Sequence, residues 1–259
     1  MAYKYSFNTP DEIRESYENG LVGAIPDPVT NYEVREQFTK RFGSNKFQIG
    51  HLSGYGDDKV VLNYKAAEQF DPKVYLERQV SSDCVSFATR NGSQTTASVE
   101  IAVKKEPELF IARFATENIY GDRGHSGGGA SCARLAKYVS TKGGILLRKN
   151  YPELGIDLTT YNAKIGINWG GRGVPDKVNQ EAAKHQIKRL IWPKSVQEVK
   201  DLQAAGYSAA ACSGMGFSKT RDEYGVARQS GSWAHAMTYI AGDDSKTRLD
   251  EYLVCIANS

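Results

Sequence analysis

Three residue types far apart in the chain could together break an acyl bond. Cys84 opens an apolar run in Arg78-Gln79-Val80-Ser81-Ser82-Asp83-Cys84-Val85-Ser86-Phe87-Ala88. A thiol reacts as its thiolate, and a helix beginning at Cys84 would turn unpaired N-H groups and the positive end of the peptide dipoles toward the sulfur, lowering its pKa. Gln79, five positions earlier, carries an amide that can donate to an oxyanion. Such a nucleophile needs a base within reach and a third group that orients the base. His235, in Ser232-Trp233-Ala234-His235-Ala236-Met237-Thr238-Tyr239-Ile240, is the candidate base; Asn258, in Val254-Cys255-Ile256-Ala257-Asn258-Ser259, is the candidate orienter. Taken singly, a cysteine or a histidine beside a tryptophan is more often a packing residue. The order Gln, Cys, His, Asn, with the histidine about 150 residues after the cysteine, gives them a joint meaning.

With these residues in view, the chain resembles a papain-like cysteine peptidase, in a disulfide-poor bacterial or phage-type version. Four places carry the resemblance: the Gln79 to Cys84 segment, the Gly-rich turn and helix over 124–144, the Trp233-Ala234-His235-Ala236 segment and the terminal Ile256-Ala257-Asn258-Ser259. It implies Gln79 as oxyanion donor, Cys84 as nucleophile, His235 as general base and acid, and Asn258 as orienter of the imidazole. It implies substrate binding by Gly128, Gly129, Trp233 and Ala234, with the glycine pair hydrogen-bonding an extended polypeptide. The implied fold is α+β with two lobes: a helical lobe with a central Cys-bearing helix, an antiparallel β-sheet lobe with His235 and Asn258, and a cleft between them. Three departures stand out. The glutamine precedes the cysteine by five residues where the family has six, Val85 stands where the family has an aromatic residue, and the sequence stops at the Asn-Ser pair where the family continues. The resemblance therefore leads us to expect a peptidase domain over 66–259 that is truncated at its C-terminal side, with Asn258 poorly held.

Composition sets outer bounds. Of 259 residues, 40% are hydrophobic and 24% charged, enough for a sizeable core. The net charge of +3 comes from 33 basic residues interspersed with 30 acidic ones, so no nucleic-acid partner is indicated. The start, Met1-Ala2-Tyr3-Lys4-Tyr5-Ser6-Phe7, has no apolar core of a signal peptide, and no apolar run approaches a membrane span, which places the protein in the cytoplasm or in a virion and away from membranes. With Cys84 kept free, Cys132, Cys212 and Cys255 are an odd number, which predicts reduced thiols. His51, His125 and His185 lack partners at ligand spacing and no Cys-x-x-Cys occurs, so we expect neither metal nor cofactor.

These residues must be positioned by elements of recognisable type. Residues 1–65 form an N-terminal extension with too few apolar residues for a core of its own. Within it, Thr9-Pro10-Asp11-Glu12 and Thr30-Asn31-Tyr32-Glu33 carry helix-start signals. The extension can serve as a structural arm, contact the chain's own cleft, or bind an assembly partner. A helix is expected from Cys84 to Arg90, broken by Asn91-Gly92; another covers Ala133 to Val139 and stops at Gly143-Gly144. Asp176 and Ser195 with Glu198 open two more, around an apolar strand Ile187 to Trp192. Strands from Tyr207 to Cys212, around His235 and from Tyr252 to Ile256 follow, the last two antiparallel so that His235 and Asn258 approach. Besides peptide hydrolysis, two readings remain open: a weak or inactive papain-like structural or binding module, as in a phage particle, and another acyl transfer such as amidase or transglutaminase-like work.

Overall fold

The computed structural model describes residues 24–25, 53–104, 113–246 and 250–258. The helix starts read at Thr9 and Thr30 lie outside the described residues. In chain order the main elements are strands β1 (Ala24–Ile25) and β2 (Val60–Val61), helices α1 (Tyr64–Phe70), α2 (Cys84–Ala102) and α3 (Glu117–Gly121), and strand β3 (Ala130–Ser131), which runs straight into α4 (Cys132–Lys137). Strands β4 (Asn150–Tyr151) and β5 (Ile156–Asp157) precede helices α5 (Ala163–Arg172), α6 (Asp176–Ala182) and α7 (Val196–Ala204). Strands β6 (Ala209–Phe217), β7 (Gln229–Asp243) and β8 (Leu253–Ala257) complete the set. Helices and an antiparallel sheet share one body, an α+β arrangement, in which β2, β6 and β8 all pair antiparallel with the long β7. Among the described residues no helix is long and apolar enough to cross a membrane.

Helix α2 does not stop at Asn91-Gly92; it continues to Ala102. Its sequence is rich in poor helix formers, and tertiary packing overrides that preference. The hydroxyls of Thr89, Ser93, Thr95 and Ser98 each donate to the carbonyl four residues back, which keeps these polar side chains satisfied inside the helix. Burial on nearly all sides, Phe87, Ala88, Asn91, Gln94 and Ser98 included, removes the one-sided apolar stripe that would have announced its length. Beneath it, Arg90 donates to the Val74 carbonyl and to Glu77, while Arg148 joins Glu77 at 2.8 Å and Glu117 at 2.6 Å. On the other side Thr238 of β7 donates to the Ala88 carbonyl at 3.0 Å. These ties fix the start of α2 against the middle of β7.

Three further corrections concern local reading. Ile187 to Trp192 forms no strand: Ile187 N-H donates to the Val139 carbonyl, and the segment crosses α4's continuation as an irregular link. A short apolar run is compatible with any buried backbone path, so its composition did not decide its type. The strand expected from Tyr207 begins at Ala209 and reaches Phe217. The cysteines are not all reduced. Cys132 at the start of α4 and Cys212 in β6 are joined as a disulfide across 80 residues of sequence, and Cys84 and Cys255 are free. Counting cysteines could not reveal this pair, because only the fold brings α4 beside β6, with a Cα–Cα distance of 6.6 Å.

The described parts of the first 65 residues contribute to this body. β1 pairs parallel with β3, Ala24 opposite Ala130, and β2 pairs with the end of β7, Val60 opposite Asp243.

Candidate functional site

Cys84 is the first residue of α2, preceded by Asp83, whose carbonyl accepts from the N-H groups of Ser86 and Phe87 and so closes the first turn. The Asp83 carboxylate does not cap the helix. Its Oδ2 accepts a hydrogen bond from the Tyr161 hydroxyl at 2.6 Å, while Oδ1 is buried without a partner. Burial raises Asp83 from the usual 3.8 to about 6, against the pull of the Tyr161 and Ser81 hydroxyls.

The thiol itself is sealed, with Cys84 0% exposed. Burial pushes it up to about 12; the backbone at Ala236 pulls the other way, and the Asp83 charge adds to the rise. The expected lowering at a helix start is therefore overturned in this geometry, because desolvation of the anion outweighs the N-H groups of Cys84 and Val85. β7, which carries His235, is tied to the first turns of this helix by the Thr238 hydroxyl on the Ala88 carbonyl.

His235 sits where β7 passes from an exposed first half, Gln229 to Trp233, into a buried second half, Ala236 to Thr238. β8 returns antiparallel along β7, Thr238 opposite Ala257, which carries the next residue, Asn258, to the imidazole. His235 Nε2 lies 2.6 Å from Asn258 Oδ1. An amide oxygen only accepts, so Nε2 carries the proton in this pair and Nδ1 is the basic nitrogen. The Trp233 ring lies over the imidazole with centroids 4.8 Å apart, and Phe217 of β6 meets Trp233 edge-on. Ala234 is half-buried between the two rings' backbone positions.

The glycine pair comes to the same place from the other side. Gly129 N-H donates to the Ser82 carbonyl at 3.1 Å, and Gly129 has φ +73°, a conformation other residues rarely adopt. A Cβ on Gly128 would stand 3.1 Å from Ser82 Oγ, so the loop approaches the Cys84 turn as closely as only glycine comfortably permits. Gln79 is half-buried in the approach segment to α2. His125, in the same Gly-rich loop, has a buried Nε2 without a hydrogen-bond partner. Among the described residues no group of three or more His, Cys, Asp or Glu is placed to hold a metal ion.

Sequence reading missed Tyr161, the backbone at Ala236 and the Cys132–Cys212 bridge. Tyr161 carries no local signal, since it reaches Asp83 from 78 residues away. A backbone contact is invisible in any sequence. Ala24, Cys84, Ala130 and Ala236 belong to one buried apolar cluster.

No protein-family model matches the sequence, and no curated protein matches it. Among solved structures the chain is similar to xylellain, a cysteine protease from Xylella fastidiosa, at 14% identity and a TM-score of 0.43; the likeness covers 65% of this chain and 66% of that one.

Proposed function

We propose that this chain is a papain-like cysteine-type peptidase. A single observation carries the reading: Cys84 begins α2, whose first turns are tied to β7 through Thr238 and the Ala88 carbonyl, and β7 carries His235 with its ring bound to Asn258. In this reading residues 66–259 form the peptidase domain, with α2 in a helical lobe, β6 to β8 in a sheet lobe and a polypeptide substrate lying between them. His235 Nδ1 takes the Cys84 proton, the thiolate attacks the scissile carbonyl, and the Cys84 N-H with the Gln79 amide holds the oxyanion. The imidazolium, oriented by Asn258, then protonates the leaving amine, and the neutral ring activates the water that hydrolyses the thioester. Gly128 and Gly129 offer backbone groups to the substrate, with Trp233 and Ala234 on the opposite wall. The N-terminal extension contacts this cleft; the pairing of Ala24 with Ala130 supports that. No cofactor takes part.

The test is a peptide vinyl sulfone offered to the reduced full chain, with hydrolysis of a broad peptide library measured alongside. Modification of Cys84 well ahead of Cys255, lost on His235→Ala, supports the peptidase. Equal rates at Cys84 and Cys255 would overturn it. One observation favours a second reading: the sealed, protonated Cys84 suits a catalytically silent papain-like binding module. Library binding without cleavage by the reduced chain would select that module.

A further inference from the structure

The bridge between Cys132 and Cys212 fastens together the two walls that flank Cys84. Cys132 directly follows β3, which follows the Gly128-Gly129 turn. Cys212 lies in β6 opposite Ala236, and the next pair in register is Ser213 with His235. One wall is therefore β3, with β1 paired along it; the other is β7 backed by β6. Ala130 of the first wall and Ala236 of the second belong, with Cys84 and Ala24 of β1, to one buried core cluster. Both walls are tied to the helix start that buries Cys84: Gly129 N-H binds the Ser82 carbonyl, and Thr238 of β7 binds the Ala88 carbonyl. A covalent link therefore joins the two elements that flank the buried thiol, and a disulfide tolerates only a narrow range of Cα separations.

We propose that the Cys132–Cys212 disulfide is a redox latch that holds the site closed over Cys84, and that its reduction by a dithiol releases the walls. The proposal rests on Cys84 being the reactive thiol of the site. The exchange balances without further reactants. A thiolate of the reductant attacks the Cys212 sulfur, the more exposed of the two residues, forming a mixed disulfide and expelling Cys132 as thiolate, which takes up a proton. The second reductant thiol then displaces Cys212. Two electrons and two protons reach the protein, and the dithiol leaves as a disulfide.

The test is alkylation of the full chain by iodoacetamide, read by peptide mass spectrometry, with the exposed free Cys255 as an internal clock. Three samples are compared: the bridged protein, the protein reduced by a dithiol and then freed of it, and the unreduced double variant Cys132→Ser with Cys212→Ser. The latch predicts that the Cys84 rate relative to Cys255 rises about tenfold or more in the second and third samples. Circular dichroism checks that each stays folded; if the double variant unfolds, the reduced native chain decides. An unchanged ratio in a folded sample whose Cys132 and Cys212 are themselves alkylated overturns the latch, as does rapid alkylation of Cys84 with the bridge intact. Peptide hydrolysis measured in parallel separates the two proposals. Cys84 released without any cleavage keeps the latch and removes the peptidase, whereas cleavage by the bridged form removes the latch alone.

Discussion

The helix end that carries Cys84 and the strand pair that carries His235 and Asn258 are built to opposite specifications. Cys84 is fully buried in the apolar core, and burial holds its thiol in the protonated form. His235 is half-buried, Asn258 is exposed, and their hydrogen bond is already made at 2.6 Å. A base pre-oriented at the surface loses little by waiting in water. A thiol while buried is held protonated, because its anion would lose solvation. The difference shows where control of such a site must act: on access to the sulfur rather than on the imidazole.

The comparison breaks most sharply at the sulfur. We expect Cys84→Ala to lower peptide hydrolysis by about 10³-fold or more while the fold persists, since nucleophile removal abolishes the covalent step and deletes only a small buried group. Undiminished hydrolysis by a folded Cys84→Ala protein would take Cys84 out of the mechanism.

Asp83 sharpens the buried side. Its folded value near 6 lies above the usual 3.8, so the folded state holds a proton that the unfolded chain has released between these values. Stability should therefore fall as pH rises from about 4 to about 6 and stay lower above that, by something on the order of 3 kcal/mol at most. Asp83→Asn keeps an acceptor for Tyr161 and removes the titration, so its Tm should exceed the native value at pH 7 and match it near pH 4. Thermal melts across this range would refute the assignment if the two proteins kept the same pH dependence.

On the open side the expected effects are smaller. Asn258→Ala removes the acceptor of the His235 proton, and kcat should drop by roughly 10- to 100-fold with little change in Tm, because the side chain is exposed. A loss of stability in place of a loss of kcat would make Asn258 a structural residue. The smallest effect is expected from Trp233→Ala, which strips the ring from the imidazole face, an aromatic contact worth about 0.5–1.5 kcal/mol. Steady-state kinetics should show a several-fold loss; an unaltered kcat and KM would confine Trp233 to the surface of β7.

Some of this molecule was legible in local chemistry. Ser195 accepts from the Glu198 N-H and starts α7 as a capping residue should, because that bond satisfies a donor no helix can satisfy internally. Gly143 ends the helical path begun by α4, and the segments around His235 and Val254 form strands as expected. The residue types able to form a thiol, base and orienter set, and their order along the chain, were also present in the sequence alone. Other features depended on neighbours distant in sequence. α2 runs through Asn91-Gly92 because burial and back-bonded hydroxyls outweigh weak propensity, and Ile187 to Trp192 stays irregular because its partner is the Val139 carbonyl rather than a strand. The protonation of Cys84 reversed the sequence expectation for the same kind of reason. A helix start acts over one turn and is visible in the residues themselves, whereas desolvation comes from burial in a core whose members, Ala24, Ala130 and Ala236 among them, only the tertiary structure gathers into one cluster with Cys84.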